Sequence, residues 1–161
     1  MPTRRRTERA AAGVGSPAPA IALKDHHGDL VDLSAFRGKR VLLSFNPLAW
    51  TEVCRLQMQA LEARAADFTR LGCVPFGVSV DPVPSKKAWA EAIGIERTQL
   101  LSDFWPHGAA ASALGIFREK EGFSERACVI LDEAGVIRFA KVYPIREVPD
   151  IEEQETVLRE L

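Results

Sequence analysis

Cys54 is the residue whose type and place could do chemistry. It ends the segment Pro47-Leu48-Ala49-Trp50-Thr51-Glu52-Val53-Cys54, which follows a β-type run over 41–46 and opens an amphipathic helical pattern. A cysteine at such a junction lies in the first helical turn, where unpaired backbone N–H groups and the helix dipole favour an anion. The thiolate is the nucleophile, so the position itself creates reactivity. Thr51 stands one turn earlier and Pro47 shapes the entry. Ionisation alone would not make this cysteine an efficient catalyst. A thiol of pKa about 8.5 is only about 3% ionised at neutral pH, and lowering the pKa to about 6 gains roughly thirtyfold, or about 2 kcal/mol. Nucleophilicity falls with pKa, which removes part of that gain. The remainder must come from donors aimed at the charge that develops as a bond breaks.

The elements around this junction follow from pattern and punctuation. Residues 19–23 and 30–33, broken by Asp25-His26-His27-Gly28, read as a β-hairpin. Arg37-Gly38-Lys39-Arg40 turns into the strand 41–46. Cys54, Met58, Leu61, Ala65 and Phe68 recur at helical spacing, predicting one helix closed near Gly72. A strand follows over 74–81, then a helix capped by Ser85 and ended by Gly94. Next come a short strand at 100–102 and a short helix stopped by Gly115. Runs at 127–132 and 136–142 flank Glu133-Ala134-Gly135, a hairpin signal, and 150–161 form a terminal helix. Successive βα units require right-handed crossovers onto a largely parallel sheet, to which the late hairpin adds antiparallel strands. The expected architecture is α/β: a thioredoxin-like fold with a mixed central sheet, flanking helices and an extra N-terminal β-hairpin.

The chain of 161 residues has the size of one domain. Residues 1–16, with Arg4, Arg5 and Arg6, read as a disordered basic tail, and 17–161 as a single domain. The net charge of −1 offers no bulk attraction to nucleic acid or to a membrane surface. No apolar run approaches the roughly 18 residues that span a bilayer. Three cysteines without a CxxC pair suit a reducing compartment, so the cytoplasm is the expected location.

The string Pro47-x-x-x-Thr51-x-x-Cys54 resembles the signature of the peroxiredoxins, thiol peroxidases on the thioredoxin fold. The resemblance is closer to the one-cysteine AhpE type. It is carried by residues 45–51, by Leu101-Ser102-Asp103-Phe104-Trp105-Pro106-His107-Gly108, and by Arg126 ahead of Cys128-Val129-Ile130-Leu131-Asp132. It covers roughly residues 16–150 and implies that Cys54 attacks a peroxide, giving a sulfenic acid that thiols reduce. It also implies roles for three neighbours. Thr51 Oγ and the Cys54 N–H would hold the peroxide in line, Arg126 would donate to thiolate and peroxide, and Pro47 would limit water around the sulfur. An arginine suits the task because its charge is permanent and its planar fork reaches two acceptors. One departure stands out: where many peroxiredoxins carry a glutamate three residues after the reactive cysteine, this chain has Gln57, which puts in doubt how firmly Arg126 is held.

Substrates implied by the resemblance are hydrogen peroxide, organic hydroperoxides and peroxynitrite. The reductant would be an external low-molecular-weight thiol or a glutaredoxin- or thioredoxin-like protein. No metal, haem or flavin is called for, and a homodimer is expected. Cys73 is set about 25 Å from Cys54 by the intervening helix, too far for a disulfide. Cys128 shares a face with Arg126 but reads better as a packed core cysteine than as a resolving one. His107 follows Pro106 at a helix start and suits a structural role, His26 and His27 a solvated turn, and Trp89 and Phe68 helical core faces. Phe104 and Trp105 are equally compatible with the core and with a dimer interface. Two other functions remain open: a thiol–disulfide oxidoreductase, which would need a second nearby thiol, and a non-catalytic binding module that has no need of Thr51, Cys54 and Arg126 together.

Overall fold

The computed structural model describes residues 13–161, so the basic stretch with Arg4, Arg5 and Arg6 lies outside the described residues. Gly15 N already donates to Ile137 O at 2.7 Å, and Ser16 O accepts from Ile137 N at 2.9 Å.

Seven strands form one sheet, in the order β2 (Leu30–Asp32), β1 (Ala22–Asp25), β5 (Gln99–Ser102), β4 (Cys73–Ser79), β3 (Arg40–Phe45), β8 (Arg126–Leu131) and β9 (Ile137–Tyr143). Only β3, β4 and β5 run parallel; every other pairing is antiparallel. The sheet is therefore mixed, as expected: the N-terminal hairpin joins it through β1 against β5, and β8 and β9 add antiparallel strands beside β3. A separate hairpin of β6 (Phe117–Arg118) and β7 (Phe123–Ser124) has strands too short to leave a pattern in the sequence.

Helices cover both faces. On one side α1 (Glu52–Ala63), α2 (Ala65–Arg70), α3 (Val83–Ile93) and α5 (Ile151–Glu160) bury Met58, Leu61, Phe68, Trp89 and Leu158 against Leu42, Leu100 and Ile130. On the other, α4 (Ala109–Ala113) and its flanks bury Ala111, Leu114 and Ile116 against Leu43, Phe45, Val78 and Val129. A central strand covered on both faces is buried throughout, which is why β3 runs Val41-Leu42-Leu43 without alternation, with Ser44 as its one fully buried polar residue.

Two helical expectations change. The helix predicted to run unbroken to Gly72 bends at Arg64 (φ −102°, ψ 12°), after which α2 lies against β4 with Phe68 fully buried. Ser85 does not cap α3: the helix already starts at Val83, with proline in its first turn, where a missing N–H costs nothing. Gly94, at φ 78°, ends it as expected.

Gly77 in β4 sets how closely α1 approaches the sheet, since a Cβ there would collide with the Met58 sulfur and the Leu100 side chain. Gly77→Val should therefore lower the denaturant midpoint by the equivalent of about 3 kcal/mol through overpacking. An unchanged midpoint would show that α1 can slide on the sheet.

Candidate active site

Thr51 is the N-cap residue of α1, in extended conformation (φ −111°, ψ 154°), and its carbonyl accepts the first helical hydrogen bond from Arg55 N at 3.0 Å. Its hydroxyl does not cap the helix but donates to Leu48 O at 2.8 Å. With its proton committed there, the Thr51 oxygen presents lone pairs to its surroundings. Cys54 is the third residue of α1, so its N–H is among those no helical carbonyl reaches.

Arg126 begins β8, whose pairing with β3 sets Ala127 opposite Phe45. That register carries the guanidinium to the strand-to-helix junction. Arg126 Nη1 lies 3.4 Å from Cys54 Sγ and donates to Gln57 Oε1 at 2.7 Å, while Nε donates to Ile145 O at 2.9 Å. Both Arg126 and Cys54 are buried. Gln57 is itself fixed, its amide nitrogen donating to Ser44 Oγ at 2.8 Å and Phe45 O at 3.0 Å. The amide at position 57 thus holds the arginine firmly, and two neutral acceptors do so without cancelling its charge. The sulfur is the acceptor on which that charge is spent.

The other two cysteines stand apart. Cys73 pairs with Arg40 at the far end of β3, five residues from Phe45 or about 16 Å along the strand. Cys128 is a core residue whose sulfur accepts from Gln154 Nε2 at 3.0 Å. Burial pushes both thiols up to about 12. His107 ties Phe104 O to Gly122 O, at 3.3 and 2.7 Å, which is the structural role its sequence position suggests. His26 is not solvated as expected. It is buried, with Nδ1 accepting from Leu100 N at 3.2 Å, and burial lowers its pKa. Trp89 and Phe68 are core. Phe104 and Trp105 are 46% and 81% exposed, which rules out the core reading for both.

Three contributors left little or no trace in the sequence. Ile145 acts only through its carbonyl, which no residue pattern announces. Asp81 Oδ2 accepts from Ala49 N at 2.9 Å, inside the cysteine-bearing loop. Lys86 was legible in principle, because it falls on the buried stripe of α3 with Trp89 and Ala90. Among the described residues no group of three His, Cys, Asp or Glu could hold a metal ion, and no helix is long and apolar enough to cross a membrane.

A cysteine at a helix mouth with a guanidinium on its sulfur, set at the end of a central strand of a thioredoxin-like sheet, defines a peroxiredoxin, a thiol-dependent peroxidase. The chain belongs to the AhpC/TSA family, whose model matches residues 14–140. It is 41% identical over 138 residues to alkyl hydroperoxide reductase E of Mycobacterium tuberculosis, covering 85% of this chain and 90% of that protein. It is 37% identical over 136 residues to bovine peroxiredoxin-2, covering 79% of this chain and 67% of that protein. The reduced 2-Cys peroxiredoxin of Plasmodium vivax superposes with a TM-score of 0.82 at 27% identity, over 91% of this chain and 80% of that one. The Enterococcus faecalis AhpC structure shares the fold with a TM-score of 0.85 at 24% identity, over 91% and 90% of the two chains.

The cysteine environments yield a direct expectation. At pH 8 iodoacetamide should modify one thiol per native chain, at Cys54, and none in Cys54→Ser. Labelling of Cys73 or Cys128 at a comparable rate would contradict the separation described.

Proposed function

We propose that Cys54 is the peroxide-reducing nucleophile and that Thr51, Arg126 and Pro47 shape its substrate site. The observation that carries this reading is the 3.4 Å contact between Arg126 Nη1 and Cys54 Sγ, made by a guanidinium with two neutral anchors. The thiolate attacks one peroxide oxygen; the S–O bond forms as the O–O bond breaks, and the sulfur loses two electrons to the peroxide. The departing oxygen leaves as alkoxide or hydroxide and takes up a proton, leaving Cys54 as sulfenic acid. Arg126 Nη2, which makes no bond among the described residues, would donate to the oxygen on which charge develops. The Thr51 oxygen, its own proton given to Leu48 O, can accept the peroxide proton. Pro47 is buried in the loop that leads to Thr51 and, having no backbone N–H, would withhold a donor from the sulfur.

The remaining steps use an external thiol. One thiol displaces water from the sulfenic acid to give a mixed disulfide, and a second releases Cys54 with formation of the external disulfide. The distance to Cys73 and the packing of Cys128 favour this one-cysteine cycle over an internal disulfide. Hydrogen peroxide, organic hydroperoxides and peroxynitrite are the substrates proposed, and a low-molecular-weight thiol or a glutaredoxin- or thioredoxin-like protein the reductant. A cytoplasmic homodimer completes the proposal, with exposed Phe104 and Trp105 at the interface.

Stoichiometric peroxide should add one oxygen to Cys54 by mass spectrometry. Cys54→Ser should show no turnover. Arg126→Lys, which cannot reach the sulfur, Gln57 and Ile145 at once, should lower the peroxide rate constant about 10²-fold with little change in melting temperature. An internal disulfide, or an Arg126→Lys enzyme of full activity, would overturn the assignment.

A further inference from the structure

Lys86 has no exposed surface. An ammonium group sheds much of its hydration on burial, so such a residue needs partners that compensate for it. Its Nζ donates to Ser79 Oγ at 2.5 Å, Ser79 Oγ donates to Asp81 Oδ2 at 2.6 Å, and that same oxygen accepts from Ala49 N at 2.9 Å. Asp81 is pinned in turn by Ser102 Oγ, which donates to its carbonyl at 2.7 Å. One residue further along the loop, Trp50 Nε1 donates to Ser85 Oγ at 3.1 Å. Trp50 has φ 68°, a left-handed backbone rarely adopted by an aromatic residue, so this loop needs external restraint. The segment that leads to Thr51 and Cys54 is therefore bonded at two successive residues, to Asp81 in the β4–α3 connection and to Ser85 in the first turn of α3.

Several titratable groups face Lys86. They are Asp81 at the end of β4, Asp103 after β5, Cys54 on α1 and His26 in the β1–β2 turn, with His107 reaching Asp103. Burial pulls Lys86 down to about 8, while the charges of Asp81, Asp103 and Cys54 favour its protonated form.

We propose that Lys86 is a positioning residue of the peroxidase site, anchoring the cysteine loop through Ser79 and Asp81. This rests on the peroxidase reading above. In the full-length protein, the rate of Cys54 oxidation by hydrogen peroxide and the melting temperature are followed in wild type, Lys86→Met, Ser79→Ala and Ser79→Thr. Ser79→Ala breaks the relay and should lower the peroxide rate constant about tenfold, because the loop is no longer tied. Lys86→Met should lower it by a similar factor, and Ser79→Thr, which keeps the hydroxyl, should restore it.

A Ser79→Ala enzyme with the wild-type peroxide rate would overturn the anchoring role, including the case in which Lys86→Met fails to fold. A Ser79→Thr enzyme as slow as Ser79→Ala would overturn it as well, since the hydroxyl relay would then not be what matters. A wild type that alkylates at Cys54 but is not oxidised by peroxide would instead reject the peroxidase reading.

Discussion

A guanidinium held against a buried sulfur is the interaction on which the rest of this structure depends. Arg126 keeps its charge at any physiological pH, and its anchors, Gln57 Oε1 and Ile145 O, are neutral. A carboxylate in either place would drain the field toward itself. Two dipoles hold the side chain in place and leave the charge for Cys54. Burial strengthens the effect, since the same separation in water would be worth far less.

The fold exists, from this point of view, to bring four pieces of chain to one end of a sheet. β3 delivers the cysteine loop, α1 turns Cys54 inward, β8 supplies Arg126 through its antiparallel register with β3, and the β9–α5 connection supplies the Ile145 carbonyl. The two cores on either face of the sheet make these placements rigid. Close packing converts a register into a distance held to tenths of an ångström, which is what donor geometry requires. The loop of residues 47–51 is the strained part of this arrangement, with Trp50 at positive φ and bonds to Asp81 and Ser85 holding it.

How much of this the sequence showed differs by level. Strands, hairpin turns and glycine stops were legible because they rest on local periodicity and on backbone conformations that few residues adopt. Cys54, Thr51 and Pro47 were legible because they lie within one short segment at a recognisable junction. Arg126 was reached by resemblance, since nothing local tells an arginine bound for a sulfur from one bound for water. The bend at Arg64 was missed because apolar spacing continues across it. His26 was misplaced because a turn residue was taken to be wet, whereas the pairing of β1 with β5 carries it beside Leu100. Lys86 falls on the same helical stripe as Trp89, but a lysine there reads as a side chain reaching out to water until the partners that allow its burial are known. Long-range contacts decide each of these cases, and periodicity carries no information about them.

The central claim is geometric, so the most direct measurement is a high-resolution crystal structure of Cys54→Ser soaked in hydrogen peroxide. The account predicts peroxide density between Arg126 Nη2, the Thr51 oxygen and the residue 54 N–H, with the guanidinium still bonded to Gln57 and Ile145. A guanidinium turned out toward solvent, or peroxide bound away from residue 54, would contradict it.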